Sequence, residues 1–160
     1  MGKKAIAALL CALGLLGLAA CGAGKTGEPG ARIANPFADY DTLAEAAEAA
    51  GFDLAAPERI DGYDPPLVQL MSGKMLQLTF RSGEQRLIIR KAAGRDDISG
   101  DYNSYAETKT ARINGADVTL KGADGKVSTA VWCAGGYSYA VTTDTPMARD
   151  VIMDLIAEIA

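Results

Sequence analysis

Hydrophobic positions along the chain follow two periods, and the switch between them marks out the elements. Leu43, Ala46, Ala47 and Ala50 recur at i, i+3, i+4 and i+7, the stripe of one helix face. Thr42 and Glu45 have capping-box spacing, and Gly51 stands where a helix ends in a left-handed residue, so the spacing predicts a helix from Thr42 to Ala50. After an irregular stretch from Phe52 to Pro66, with prolines at 57, 65 and 66, the period drops to two. Leu76, Leu78 and Phe80 alternate with Gln77 and Thr79, and Leu87 and Ile89 alternate with Arg86, Ile88 and Arg90.

Turn residues cut this region into strands. Ser72-Gly73-Lys74 follows a strand at Leu67–Met71, and Ser82-Gly83-Glu84 precedes one at Gln85–Lys91. Beyond a polar loop from Gly94 to Asn103, strands are expected at Tyr105–Ile113, Ala116–Lys121, Lys126–Ala134 and Tyr137–Thr143. Asn114-Gly115, the run Gly122 to Gly125 and Gly135-Gly136 separate them. The chain closes on a second helix, with Thr145 expected as N-cap, Pro146 in its first turn, and Val151, Ile152, Leu155, Ile156 and Ile159 as its apolar stripe. The pattern predicts one α+β domain over residues 35–160: a curved antiparallel β-meander of about seven strands, with an N-terminal and a C-terminal helix packed on one face. The opposite face would carry Gln77, Thr79, Arg86, Arg90, Thr119 and Lys121 and stay solvated or open to a partner.

The first 34 residues obey neither period. Lys3 and Lys4 precede an apolar stretch from Ala5 to Leu18, and Ala19 and Ala20 stand just before Cys21, the three-part layout of a secretory signal. The apolar run is shorter than the about 20 residues a spanning helix needs. Leu18-Ala19-Ala20-Cys21 looks like the lipobox of bacterial lipoproteins. That likeness implies cleavage after residue 20, a diacylglycerol on the Cys21 thiol, and an extracytoplasmic domain held to the membrane by lipid. Two or more acyl chains anchor durably where one binds reversibly, at about 0.8 kcal/mol per buried methylene. Residues 21–34, rich in glycine, read as the lipidated cysteine followed by a flexible tether.

Charge then narrows the partners. The whole chain has a formal charge of −4, from 16 basic and 20 acidic residues. Loss of Lys3 and Lys4 with residues 1–20 takes it to −6, which argues against nucleic acid or anionic headgroups as the electrostatic partner. Once Cys11 is removed and Cys21 acylated, Cys133 is the remaining thiol, and its apolar neighbours Val131, Trp132 and Ala134 suggest a small buried hydrophobe. The chain has no histidine to serve as its base.

Two groups of residues stand out as candidate binding sites. The loop residues Asp97, Ser99, Asp101, Tyr102, Asn103 and Tyr105 concentrate oxygen atoms. Ile98 and Gly100 occupy oxygen-ligand positions of a standard calcium loop, and Asp101 occupies its glycine position, so the loop is read as a set of turns and no metal is expected. Trp132, Tyr137 and Tyr139 could line an aromatic groove for a peptide or sugar, or pack the core. No phosphate loop, nucleophile elbow or cysteine metal cluster is present, and no cofactor is expected.

Three sets of residues together resemble a known family. They are Ala50-Gly51-Phe52-Asp53-Leu54 with Pro57 and Gly62-Tyr63; Ile89-Arg90-Lys91-Ala92 with Asp97 to Tyr102; and Val131-Trp132 with Gly136-Tyr137-Ser138-Tyr139. This combination is similar to an uncharacterised extracytoplasmic domain family of bacterial lipoproteins and of membrane proteins resembling anti-sigma factors. The resemblance covers residues 35–160 and implies an envelope location and a role without catalytic residues. The function expected from sequence is a non-catalytic binding or sensing module that meets another envelope protein or a cell-wall ligand. A lipid-carrying or chaperone-like lipoprotein, and a carboxylate-dependent hydrolase of an envelope polymer, are the alternatives.

Overall fold

The computed structural model describes residues 35–159; the expected signal segment, the acylated Cys21 and the tether lie outside them. The described chain is mostly antiparallel sheet with two helices. Its elements run β1 (Phe37–Tyr40), α1 (Leu43–Ala50), β2 (Leu67–Met71), β3 (Met75–Ser82), β4 (Gln85–Ala93), β5 (Glu107–Ile113), β6 (Ala116–Ala123), β7 (Lys126–Ala134), β8 (Tyr137–Ala148) and α2 (Arg149–Ala157). The strands form one sheet in the order β1-β2-β3-β4-β8-β7-β6-β5. Two four-stranded meanders therefore meet at β4 and β8. After β4 the chain leaves the middle of the sheet, crosses to the far edge to start β5, and returns strand by strand to β8.

Period two becomes a core because, through the middle of the sheet, each register matches inward residues with inward residues. Val68, Leu78, Ile89, Val141, Ala130 and Leu120 are successive partners across six strands. They line one face, together with Leu70, Leu76, Phe80, Leu87, Val118 and Trp132, and most of these are nearly inaccessible. Each such side chain contributes about 1.5–3 kcal/mol on burial. α1 packs against β1, β2 and β3, while α2 packs against β5, β7 and β8. Ala46 and Ala47 of α1, Ile152 and Ile156 of α2, and Ile159 just after it join the same apolar cluster. Thr42 caps α1 by accepting from the Glu45 N–H at 3.2 Å, as its spacing predicts.

Two expectations of the fold need correction. The described residues form eight strands, not seven, because Phe37–Tyr40 adds an edge strand on β2 and puts the first helix after β1. At four residues, Phe37-Ala38-Asp39-Tyr40, that strand is too short for alternation to register. The second correction concerns α2, which starts at Arg149; Thr145 and Pro146 belong to β8, and Ala148 stands at the N-cap without a side-chain bond. β8 places Thr143 to Pro146 opposite Ser128 alone, so Pro146 sits at an irregularity where its missing N–H breaks no ladder bond. Lys91 falls where alternation through Leu87 and Ile89 puts it, on the apolar face. Its partners are Leu76 and Tyr139, it is 7% exposed, and its ammonium lies 4.7 Å and 5.0 Å from the ring centres of Tyr137 and Tyr139. The two π faces stand in for water around the cation.

Candidate functional site

The segment from Gly94 to Ala106 links β4 to β5, and it crosses the polar face of the sheet. Its backbone is held by its own side chains: Ser99 N–H donates to Asp97 Oδ1 at 2.9 Å, Asp101 N–H to Ser99 Oγ at 3.2 Å, and Asn103 N–H to Asp101 Oδ1 at 3.0 Å. Three overlapping turns of this kind set the loop's course, in line with a turn reading of its acidic and hydroxyl residues.

Sheet side chains then fasten the loop from beneath. Gln69 donates to Asp39 (2.7 Å), Gln77 to Gln69 (3.1 Å), and Arg90 Nε to Gln77 (2.7 Å), so a polar relay crosses β1 to β4. Arg90 Nη1 ends it by donating to the carbonyls of Ile98 (3.1 Å) and Ser99. Gly100 makes this approach possible, since a Cβ there would lie 2.7 Å from Nη1. Burial, with a smaller repulsion from Arg86, disfavours the Arg90 charge. Tyr105 and Thr129 both donate to Asp101 Oδ2. Desolvation pushes the Asp101 carboxyl up, but the bonds from Thr129, Tyr105 and Asn103 outweigh it and hold the pKa at about 2. Lys121 pairs with Asp97 at 3.1 Å.

This corrects the expectation of a solvated polar face. Gln77 and Thr79 are buried and Arg90 runs under the loop, while Arg86 is taken by Asp144 through bonds of 3.0 and 3.2 Å. A polar basin of about 300 Å³ remains beside the loop, with Ser99, Asp101, Asn103 and Tyr105 on one wall and Arg86, Thr142 and Asp144 on the other.

The larger opening is elsewhere. The β6–β7 ladder ends at Thr119↔Val131, yet both strands continue, β6 back to Ala116 and β7 on to Ala134. On their outer sides these extensions stay paired, Ala116 to Val118 with β5 and Trp132 to Ala134 with β8. The sheet is thus split between two intact hairpins. A cleft of about 510 Å³ occupies the split on the loop side, lined by Arg95, Asp96, Asp97, Arg112, Asp117, Thr119, Val131, Trp132, Cys133 and Tyr139. A second cavity of about 220 Å³ lies on the helix side, where Ile113, Ile156 and Ile159 meet Ala116, Trp132 and Tyr139. Trp132 and Tyr139 line both; their rings are stacked 5.1 Å apart with planes 5° from parallel. Arg112 and Asp117 pair across the rim at 2.7 Å.

The residues singled out from sequence are divided among these places. Ser99, Asp101, Asn103 and Tyr105 meet at the basin, whereas Asp97 turns to the cleft and Tyr102 points outward, 98% exposed. Trp132 and Tyr139 share the cleft wall. Tyr137 does not join them: it packs on Phe52 at 5.2 Å and under Lys91. Cys133 is exposed, against the expectation of a buried thiol, because it has outward parity and lies past the last β6–β7 pair. Sequence reasoning missed Arg95, Arg112 and Asp117, whose only signal was position beside the Asn114-Gly115 turn and the loop. Among the described residues no helix is long and apolar enough to cross a membrane, and no three Cys, Asp or Glu side chains gather as metal ligands. Compared with known proteins, the chain matches no protein-family model, no curated protein and no solved structure.

Proposed function

We propose that this chain is a lipoprotein of the bacterial envelope, anchored through lipid on Cys21, whose folded domain binds a partner without catalysing a reaction. The cleft between β6 and β7 carries the reading. It combines a stacked Trp132–Tyr139 wall with a charged rim of Arg95, Asp96, Arg112 and Asp117, and such a mixture of aromatic surface and polar groups suits recognition. The cysteine after a short apolar leader, and the resemblance to extracytoplasmic domains of lipoproteins, support the location.

Two measurements test the two halves of the proposal. For the anchor, Cys21→Ala should leave the protein without incorporated lipid label, released from membranes or retained as uncleaved precursor; normal labelling and membrane retention would refute it. For the cleft, a photo-crosslinking residue replacing Asp117 in intact cells should yield a discrete adduct. The same residue replacing Tyr102 should not, and Trp132→Ala should abolish the adduct. Identical adducts from both positions, unaffected by Trp132→Ala, would remove the cleft from the account.

A further inference from the structure

We infer that the cleft is a slot for one extended polypeptide segment, which enters the sheet between β6 and β7 and completes it. The inference rests on the reading of the cleft as a binding site and names the class of its partner. Four observations converge on it.

The first is the pairing. Ala116 to Val118 and Trp132 to Ala134 are each hydrogen-bonded on one side, to β5 and β8, and neither is paired with the other. In a strand, alternate residues direct N–H and C=O to opposite sides, so both extensions turn backbone donors and acceptors toward the gap. Sugars and flat aromatic ligands do not repeat that donor–acceptor spacing; an extended peptide does. The second is size. Three residues on either side give a slot about 10 Å long, and an extended residue with its side chains in a sheet occupies about 160 Å³ (3.4 by 4.8 by 10 Å). The cleft of about 510 Å³ and the helix-side cavity of about 220 Å³ together leave room for the about 480 Å³ of three residues, the length over which the edges are free.

The third is what lies above and below. Side chains of an inserted strand would point alternately to the two faces. On the helix side they meet the smaller cavity and its isoleucines, Ile113, Ile156 and Ile159. On the loop side they meet Arg95 and Asp96, neither of which makes an ion pair among the described residues, whereas Arg112 and Lys121 are already paired with Asp117 and Asp97. The fourth is this charge pattern: one cation and one carboxylate are left over, so the slot selects one acidic and one basic side chain. The partner segment thus has an apolar residue flanked by one acidic and one basic residue.

The test uses the full-length protein and a blocked pentapeptide, acetyl-Thr-Glu-Ile-Lys-Thr-amide. Cys133 lies in the cleft and reports on occupancy, its alkylation by iodoacetamide being read on the Cys133-containing tryptic peptide. At roughly ten dissociation constants of peptide, alkylation should slow by about tenfold, following the unoccupied fraction. Amide exchange should slow at 116–118 and 132–134 and not along the outer edges β1 and β5. A twin peptide N-methylated on its three central residues should protect neither. Equal protection by the twin, no protection at any soluble concentration, or protection at β1 or β5 instead would overturn the inference. Loss of Cys133 reactivity with rising protein concentration alone would place a second copy there and overturn it as well. If the Asp117 crosslink forms in cells while the pentapeptide never protects Cys133, the strand partner falls and the binding module stands.

Discussion

Gly122→Ala is expected to lower stability by about 3 kcal/mol, the upper end of the range for forcing a group into filled space. Gly122 sits in β6 where the register against β7 shifts, opposite Val127. A Cβ there would fall well inside contact distance of the Lys126 carbonyl oxygen, 2.9 Å from its carbon and 3.0 Å from Val127 Cα. All three atoms are backbone, so no rotamer change relieves the clash; β6 and β7 must separate. For a domain of this size the shift in Tm is roughly 10 °C. Gly125→Ala is the comparison, because its φ of +71° carries only local strain and nothing lies within 4 Å of its Cβ. That variant should cost about 1 kcal/mol. Equal losses from the two, measured by denaturant unfolding, would show that close approach at Gly122 is not what matters.

Gly122 also shows where pattern reading reaches its limit. As a letter it belongs to a turn cluster, Gly122 to Gly125; in the fold it is a strand residue whose missing Cβ accommodates the backbone of β7. Alternation legibly assigns faces. Leu76, Leu78 and Phe80 are inside, and Gln77 and Thr79 share the other face as expected. The same parity placed Lys91 with Leu87 and Ile89, against the habit of lysine to stay in water, and the structure follows the parity because Tyr137 and Tyr139 supply a cation site. Local capping chemistry was legible at Thr42 and misleading at Thr145-Pro146. A proline after threonine reads the same before a helix as at a strand irregularity, and only the pairing of β8 with β7 decides between them.

The candidate site was less legible, for a related reason. The turns of the loop depend on neighbours two residues apart and can be read from Asp97, Ser99 and Asp101. Its position across the sheet depends on Arg90, Lys121 and Thr129, which single out no partner in one dimension. The cleft depends on an absence of pairing: β6 and β7 each read as a full strand, and nothing in their residues announces that the ladder between them stops at Thr119↔Val131.

The loop's hold on the sheet leads to the last expected result. Asp101→Ala should destabilise the domain by about 2 kcal/mol at neutral pH, since it removes charge-assisted bonds from Tyr105 and Thr129 and leaves the 1%-exposed Thr129 hydroxyl only Tyr105 as a neighbour. The pH dependence separates this from simple loss of packing. The folded-state pKa is about 2, below the ordinary 3.8, so the carboxylate binds protons more readily in the unfolded chain. Its contribution is fully present above about pH 4 and disappears as the pH falls through about 2. Because Asp101 remains partly in contact with water, about 1–2 kcal/mol of titrating stability is expected after allowance for solvent screening. Asp97, Asp144 and Glu107 also have lowered pKa values and titrate in both proteins, so the difference between wild type and variant isolates Asp101. Unfolding curves at steps between pH 5 and pH 2 should converge as acid is added, with the wild type losing its advantage. A constant gap across that range would show that the Asp101 carboxylate charge does not hold the loop. Amide exchange over residues 94–106 should meanwhile be faster in the variant at neutral pH, while the inner strands β3 and β4 keep their protection, because the fastening acts where the loop crosses the sheet and not within its core.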